Sequence, residues 1–308
     1  MMGIDIGGTK TGVVALDLAG TVVAERRAPS GRGPSAVVAV AVDVAHECAA
    51  AVGGWSQITS VGACMPGLVD PRAGLVRHAV NLGVDDLPLA GALSDALGRP
   101  VVIDNDVKAA GWGAFQLHGG DSQTAFGYLN IGTGLAAALV INGQIVRGPG
   151  GITGEIGHLP LAAPVPCRCG QTGCLETSAS GSGLTRMWPP ARALADPFAA
   201  SAAGDAQAAE AVRQLCGGVA MAVQVLVLVG GVEHIVIGGG LTSLGEPLSR
   251  GIADVLVERA AQAPLLAELA RPGRFSMLPS DLPISAIGAA RLSSAATQLD
   301  LEPSTTRP

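Results

Sequence analysis

Aromatic and charged residues are scarce in this chain of 308 residues: aromatics make up 3% of it and charged residues 14%, whereas hydrophobic residues make up 48%. Such a composition excludes a largely disordered protein, because it supplies enough apolar surface to bury in a core. Only residues 302–308 are expected to be disordered. The length exceeds that of a usual single domain, about 100 to 200 residues, and predicts two lobes with a cleft between them.

Clusters of basic residues are also missing. Acidic residues outnumber basic ones by 25 to 19, and no basic cluster is interleaved with aromatics, so we expect no nucleic-acid partner. The chain begins MMGIDIGGTK, without a basic segment followed by an apolar run and a cleavage site, and we therefore expect a cytoplasmic protein. The most apolar stretch, residues 219–232, is interrupted by Gln224 and is too short to span a bilayer; it predicts a buried helix and no membrane partner.

Two segments of the sequence share one pattern of strands and turns. The first predicts strands at residues 3–6, 12–17 and 21–25, and the second at residues 128–131, 135–141 and 144–147. Aligning Ile6-Gly7 with Ile131-Gly132 brings the two patterns into register, which indicates an internal duplication. Further strands are predicted at residues 60–64, 100–103 and 234–237.

Helical periodicity or composition completes an α/β pattern. Helices are predicted at residues 35–52, 89–97, 106–117, 183–195, 206–229, 244–261 and 284–297. The sequence therefore predicts two similar lobes. The smaller comprises residues 1–105 with the C-terminal helix at about 284–300, and the larger comprises residues 106–283.

Three glycine-rich turns are candidates for binding phosphate, because such turns bring backbone N–H groups close to phosphate oxygens. They are Gly7-Gly8-Thr9-Lys10, Gly132-Thr133-Gly134 and Gly238-Gly239-Gly240. The first two precede strands, so neither is a Rossmann or Walker A loop. One such turn alone would be an ordinary hairpin turn. Two duplicated turns and a third at a strand end instead indicate two phosphate-binding loops and a third loop that contacts adenosine. Asp5 either positions Mg²⁺ through water or is an ordinary strand-end carboxylate.

A buried strand ends in three polar residues, Asp104-Asn105-Asp106, and leads into a predicted helix. Open α/β sheets bind ligands at the carboxyl ends of such strands. A single polar residue there would be only a helix cap, whereas three in succession exceed that need. A carboxylate at this point could accept a proton from an attacking hydroxyl, and an amide could hold a sugar, as phosphoryl transfer to a sugar requires.

One histidine and three cysteines form the most specific local pattern, H-x8-C-x-C-G-x2-G-C. Its residues are His158, Cys167, Cys169 and Cys174. One imidazole and three thiolates make a closed tetrahedral set for a structural Zn²⁺, and a reducing compartment disfavours the competing reading as disulfides. Glu155 and Glu176 lie just outside this run and either hold sugar hydroxyls or are solvated surface carboxylates.

These residues together resemble the ROK family (repressors, ORFs and kinases), particularly its bacterial glucokinases. The resemblance is carried by Asp5–Lys10, Asn105-Asp106, Gly154–His158 and Cys167–Glu176. It implies the actin-like ATPase (ribonuclease H-like) fold, a homodimer or homotetramer, and ATP-dependent phosphorylation of a hexose, commonly at the 6-hydroxyl, with Mg²⁺ and a structural Zn²⁺. It also implies that the larger lobe carries the dimer surface.

Roles follow from the resemblance position by position. Asp106 would be the general base, and Lys108 stands where the family usually has Asn. The sugar would be held by Gly67, Asn81, Asn105, Asp106, Glu155, His158 and Glu176. ATP would be bound by Asp5, Gly7, Gly8, Thr9, Lys10, Gly132, Thr133, Gly134, Gly239 and Gly240. Zinc would be bound by His158, Cys167, Cys169 and Cys174.

Several functions fit this resemblance. The first is a glucokinase-like kinase that converts glucose to glucose 6-phosphate, and the second is a kinase of N-acetylglucosamine or N-acetylmannosamine. A sugar-sensing transcription regulator of the family would need a helix-turn-helix before the first glycine turn, where only Met1, Met2 and Gly3 precede the strand core. A catalytically inactive sugar-binding module is disfavoured because Asp5, Thr9 and Asp106 are retained.

Overall fold

The computed structural model describes residues 1–189 and 196–299. The end of the helix predicted at 183–195 and the tail predicted to be disordered at 302–308 therefore lie outside the described residues. The chain divides into two compact units. Of the described residues, the first unit comprises 1–120, 147–152 and 283–299, and the second comprises 121–146, 153–189 and 196–282.

Both units contain strands and helices. The strands are β1 (Met2–Ile6), β2 (Lys10–Leu16), β3 (Val22–Pro29), β4 (Val61–Met65), β5 (Leu68–Asp70), β6 (Leu75–Ala79), β7 (Val84–Leu87), β8 (Val101–Asn105), β9 (Phe126–Ile131), β10 (Leu135–Ile141), β11 (Gln144–Ile145), β12 (His234–Gly238) and β13 (Phe275–Met277). The helices are α1 (Pro34–Ala50), α2 (Leu89–Leu97), α3 (Asp106–Leu117), α4 (Gly181–Met187), α5 (Pro197–Ala202), α6 (Ala206–Gly230), α7 (Gly245–Gln262) and α8 (Ile284–Leu299).

The two units contain sheets of the same design. The sheet of the first unit has the order β3-β2-β1-β4-β8, and that of the second has the order β11-β10-β9-β12-β13. In each sheet, three antiparallel strands are followed by two strands that pair in parallel. The internal duplication predicted from the sequence is thereby confirmed, with β1 and β2 corresponding to β9 and β10.

Helix α8 lies against the sheet of the first unit at glycines that allow very close approach. A Cβ added at Gly3 of β1 or Gly62 of β4 would overlap carbonyl oxygens of α8, and one at Gly288 of α8 would overlap the carbonyl oxygen of Ala109 in α3. Helix α3 therefore packs with the first unit through α8, whereas the sequence analysis drew the lobe boundary at Asn105.

Helix α6 forms the centre of the second unit. It is long and apolar enough to cross a membrane by length and composition alone, and it extends well before the apolar stretch recognised in the sequence. Its buried face, which includes Leu215, Val219 and Val223, packs in the core of the unit. The prediction of a buried helix is confirmed.

Sequence analysis missed several short elements. The first unit carries a small antiparallel sheet of β5, β6 and β7, and the second unit gains β13 and α5. Strands of three to five residues give too few alternating positions to be recognised by periodicity.

Candidate functional site

The loop between β1 and β2 is a tight turn with an exposed tip. The Gly7 amide donates to the carbonyl of Lys10 at 3.0 Å, the Ser30 amide donates to the carbonyl of Thr9 at 3.1 Å, and the Ser30 hydroxyl donates to the Gly7 carbonyl at 2.7 Å. Within the described residues, no group accepts from the amides of Gly8 and Thr9. Exposed, unused N–H groups on a rigid turn are suited to phosphate oxygens.

The loop between β9 and β10 repeats this geometry in the second unit. The Gly132 amide donates to the Gly134 carbonyl at 3.1 Å, and the first amides of α4, those of Gly181 and Ser182, donate to the carbonyls of Gly132 and Thr133 at 2.8 and 3.1 Å. The amides of Thr133 and Gly134 have no partner in the part of the chain that the structure describes. Both duplicated loops therefore direct carbonyls into the protein and keep two amides available.

The third glycine turn lies directly against the second. Gly239 has φ +99°, and a Cβ there would come within 2.9 Å of the Gly132 amide nitrogen and of the Asn130 side-chain oxygen. Only glycine fits this contact and this backbone conformation. Asn130, the last-but-one residue of β9, thus lies between two candidate nucleotide loops. Sequence analysis did not single it out, because it sits inside an otherwise apolar strand.

Two half-buried carboxylates, those of Asp5 and Asp106, lie at the end of the first sheet. Asp5 and Cys64 are directly paired on the parallel strands β1 and β4, and the Cys64 thiol donates to Asp5 Oδ1 at 3.6 Å. Burial and the neighbouring Asp106 carboxylate raise the pKa of Asp5 to about 7. Two carboxylates whose charges oppose each other in a poorly solvated place fit a divalent cation, which would favour the ionised form of both.

The three polar residues after the buried strand have three different roles. Asp104 is buried and its Oδ2 accepts from Arg147 Nε at 3.0 Å and Nη2 at 2.6 Å. Asn105 caps α3, because its Oδ1 accepts from the amides of Val107 and Lys108 at 3.0 and 3.1 Å. Its Nδ2 donates to the Gly67 carbonyl at 3.1 Å. Asp106, in the first turn of α3, accepts through Oδ1 from the Val107 amide at 3.0 Å.

Two basic side chains fasten a short segment of the chain to the first unit. Residues 147–152 belong to this unit although the chain before and after them belongs to the second. Arg147 pairs with Asp104, and buried Lys108 donates from Nζ to the Gly151 carbonyl at 2.8 Å. Sequence analysis missed both contacts, since they join residues 43 positions apart.

The predicted sugar residues of the first unit lie beside these groups. Gly67 has φ +108°, and a Cβ there would lie 2.6 Å from the Arg77 carbonyl oxygen, which explains the glycine. A Cβ added to Gly8 in the first loop would lie 3.3 Å from Asn81 Cβ. The first unit therefore brings Asn81 to the first glycine loop, Gly67 to Asn105, and Asp5 to Asp106.

The predicted sugar residues of the second unit are placed by contacts with β10. The Ala137 amide donates to the Gly154 carbonyl at 2.8 Å, and a Cβ at Gly154 or Gly157 would overlap a carbonyl oxygen of β10. Glu155 and His158 lie at the two ends of the short helical turn that contains Gly157. The lack of side chains at these two glycines therefore lets the turn pack directly on β10, the strand that follows the second glycine loop.

The histidine and three cysteines converge as the sequence predicts. One ligand atom from each of His158, Cys167, Cys169 and Cys174 lies within 4.8 Å of every other. The Cys169 and Cys174 sulfurs are 3.6 Å apart, and Cys167 Sγ is 3.9 Å from His158 Nδ1. Sulfurs bound at about 2.3 Å to a tetrahedral zinc are separated by about 3.8 Å, so the four ligand atoms fit Zn²⁺.

The charges of the sulfurs also call for a cation. Hydrogen bonds from the backbone and side chain of Gln171 lower the pKa of the Cys169 thiol to about 6, whereas burial raises the pKa of the neighbouring Cys174 thiol to about 12. The two neighbouring thiols therefore differ in how readily they ionise. A bound metal ion would hold both as thiolates, and a closed set of four protein ligands makes such an ion structural.

Glu176 contacts both the cysteine cluster and the second glycine loop. Its Oε1 accepts from Cys167 Sγ at 3.8 Å, and its Oε2 accepts from the Leu135 amide at 3.1 Å. A Cβ added to Gly134 would lie 2.5 Å from Oε2. The carboxylate is thus part of the hydrogen-bonded structure of its unit, a role that the sequence did not indicate.

Duplicated sheets with glycine turns after the first strand of each define a class, the actin-like ATPase fold. The structure of a ROK family glucokinase from Streptomyces griseus, in complex with glucose and AMPPNP, matches with a TM-score of 0.77 at 26% identity, over 96% of this chain and 99% of that one. The fold predicted from the sequence is confirmed.

The chain belongs to the ROK family, whose family model matches residues 1–276. A glucokinase of Halalkalibacterium halodurans is 30% identical over 275 residues, which are 82% of this chain and 83% of that protein. An N-acetylmannosamine kinase of Yersinia pestis is 26% identical over 251 residues, 78% of this chain and 82% of that protein. The cluster of His158 and three cysteines fits the zinc motif of the family.

Proposed function

We propose that the protein is an ATP-dependent hexose kinase and that its substrate is glucose, which it converts to glucose 6-phosphate. The observation that carries this proposal is the grouping of Asp5, Asp106 and a glycine loop with two available amides in the first unit. A carboxylate that accepts a proton, a second that positions Mg²⁺, and amides that bind phosphate are the parts that phosphoryl transfer needs.

In the proposed reaction, Asp106 accepts the proton of the sugar hydroxyl as that oxygen forms a bond to the γ-phosphorus of ATP. The bond between this phosphorus and the β,γ-bridging oxygen breaks, and ADP leaves with the electron pair. Asp106 is the proposed base because its carboxylate lies in the first turn of α3 beside that of Asp5, whereas the Asp104 carboxylate is paired with Arg147.

The two duplicated loops are the proposed phosphate-binding elements. Residues Gly7, Gly8, Thr9 and Lys10 form the first, and Gly132, Thr133 and Gly134 form the second. Gly239 and Gly240 would lie beside the adenosine, since Gly239 contacts the second loop. Mg²⁺, held through water by Asp5, would neutralise the phosphate charge when bound.

The sugar is proposed to contact Gly67, Asn81, Asn105, Asp106, Glu155, His158 and Glu176. For two of them, Asn105 and His158, existing contacts limit which atoms could form a hydrogen bond with the sugar. Asn105 uses its oxygen for the helix cap, so it would donate to the sugar through the remaining Nδ2 hydrogen. The Nδ1 of His158 faces Cys167 Sγ, which leaves Nε2 for a hydroxyl.

A second candidate function is an N-acetylhexosamine kinase, in which the same residues would act on a sugar with a 2-acetamido group. The similarity to an N-acetylmannosamine kinase over 78% of the chain favours it. A cytoplasmic location and a homodimeric or homotetrameric state are parts of the same proposal.

A substrate panel distinguishes these functions. ADP release would be measured with glucose, mannose, fructose, N-acetylglucosamine and N-acetylmannosamine. The proposal expects the highest kcat/KM with glucose; a higher value with either N-acetylated sugar would establish the second function instead. No release above the ATP-only background with any sugar would reject both.

The role of Asp106 is tested by Asp106→Asn, which keeps the shape and removes the proton acceptor. We expect kcat to fall by about 10² to 10⁴ while the Kd for sugar changes little. Asp43→Asn, at an exposed position of α1 in the same unit, is the matched control and should retain the parent kcat. A kcat near that of the parent in Asp106→Asn would reject the assignment.

A further inference from the structure

On the side of α4 and the cysteine cluster, the second glycine loop is held by residues 176–182. The carbonyls of Gly132 and Thr133 accept from the first amides of α4 at 2.8 and 3.1 Å. The Leu135 amide, which ends the loop, donates to Glu176 Oε2 at 3.1 Å. These contacts reach the loop from one continuous stretch, residues 176–182, which follows the last cysteine of the cluster.

That stretch is itself rigid and tied to the candidate metal ligands. The hydroxyl and amide of Thr177 donate to the Cys174 carbonyl at 2.7 and 2.9 Å. The Ser180 hydroxyl donates to the Glu176 carbonyl at 2.8 Å and accepts from the Gly183 amide at 3.0 Å, which caps α4. A continuous series of hydrogen bonds therefore connects Cys174 to the first turn of α4.

Glu176 lies two residues after Cys174 and contacts the loop directly. One carboxylate oxygen accepts from the Cys167 thiol at 3.8 Å, and the other both accepts from Leu135 and occupies the space beside Gly134. The φ of Gly134 lies outside the region reserved for glycine, so the nearest obstacle to a side chain at this position is the Glu176 carboxylate rather than the backbone conformation.

The contact with Cys167 needs the thiol proton, which a bound metal ion displaces. In the metal-loaded protein the connection therefore runs along the chain from Cys174 to Glu176, which the bonds of Thr177 to the Cys174 carbonyl hold in place.

We infer that Glu176 is a positioning residue that connects the cysteine cluster to the loop Gly132–Gly134, so that the metal centre orders the nucleotide-binding loop. The inference rests on the proposed binding of ATP phosphates by that loop, and it adds to the proposed contact of Glu176 with sugar. Loss of either the metal ion or the carboxylate frees the Leu135 amide and lets the loop amides leave the geometry that binds phosphate.

The first measurement reports on the loop without any ligand. Hydrogen exchange at the Leu135 amide would be followed by NMR in the metal-loaded parent, in chelator-treated parent, and in Glu176→Ala and Glu176→Gln, with metal content measured in each. We expect faster exchange at Leu135 in chelator-treated protein and in Glu176→Ala. Glu176→Gln retains an acceptor oxygen and should stay protected, as should Glu258→Ala, an exposed carboxylate of α7 in the same unit.

The second measurement is the affinity for AMPPNP by calorimetry in the absence of sugar. Glu176→Ala with its metal retained should raise the Kd about tenfold or more, since it removes a hydrogen bond to a charged group, and Glu176→Gln should restore most of the affinity. The KM for ATP should rise in parallel, a change that loss of sugar contacts alone would not produce.

The outcomes separate this inference from the proposed function. If the parent binds no AMPPNP, the proposed function fails, whereas the exchange rates still decide whether Glu176 orders the loop. If the parent binds AMPPNP, and metal-loaded Glu176→Ala keeps both its Leu135 protection and its affinity, the inference is overturned. If chelation unfolds the whole protein, the metal-loaded variants alone decide.

Discussion

Asp5 should make the protein less stable as the pH rises, and Asp5→Asn should remove this dependence. Burial and the Asp106 carboxylate raise the pKa of Asp5 from its ordinary 3.8 to about 7. Between these two values, the folded protein holds a proton that the unfolded chain has released. The free energy of unfolding therefore falls as the pH rises from about 4 to about 7, and the loss is complete above that range.

The difference of about 3 pH units corresponds to an upper limit of about 4 kcal/mol. Asp5 is only partly shielded from solvent, and water reduces the figure. Asparagine cannot ionise, so Asp5→Asn avoids this cost. We expect its gain in unfolding free energy over the parent to be about 2 kcal/mol larger at pH 8 than at pH 5.

Urea unfolding at the two pH values measures this gain. Trp55 and Trp112 lie in the same unit as Asp5, so tryptophan fluorescence reports on the relevant sheet. Mg²⁺ and nucleotide are left out, because a cation beside Asp5 would lower its pKa. Asp43→Asn, on the surface of α1, should show no such difference between the two pH values. An equal gain for Asp5→Asn at pH 5 and pH 8, or a loss at pH 8, would refute the reasoning.

Two further predictions concern stability, each measured by urea unfolding at pH 7. Arg147→Ala leaves the buried Asp104 carboxylate without its ion pair and should cost about 3 to 5 kcal/mol, whereas Arg213→Ala, in an exposed pair, should cost less than about 1; equal costs would contradict the first expectation. Gly288→Ala forces a Cβ into a carbonyl of α3 and should cost more than about 1 kcal/mol, while Gly217→Ala, with open space in α6, should be neutral or stabilising; a harmless Gly288→Ala would contradict the close packing.

Features encoded by neighbouring residues could be predicted from the sequence. The duplicated sheets follow from two runs of strands and turns that resemble each other, and the cysteine cluster follows from ligands brought together by glycine turns within one short stretch. In both cases the partners lie close along the chain. Local backbone preferences therefore restrict the geometry before any tertiary contact forms.

Contacts between distant residues could not be predicted in this way. Asp104 lies in an apolar strand, and a buried carboxylate needs a partner, so its sequence context signals that a basic residue must approach. It does not say which one, and Arg147 is 43 positions away. Glu176 presents the same difficulty, because the Leu135 amide from which it accepts a hydrogen bond lies 41 positions away.

Asp104, Asn105 and Asp106 show how structure sharpens a sequence pattern. All three are polar residues at one strand end, where the sequence predicts a carboxylate as the base and an amide that holds the sugar, and the resemblance to the ROK family assigns the base to Asp106. The partners distinguish them: Asp104 is neutralised by Arg147, and Asn105 directs its oxygen to the helix amides. Asp106 is the one of the three whose carboxylate shares its surroundings with Asp5. The proposed reaction requires a proton acceptor beside a carboxylate that would position Mg²⁺, so the position of Asp106 beside Asp5 supports it as the base.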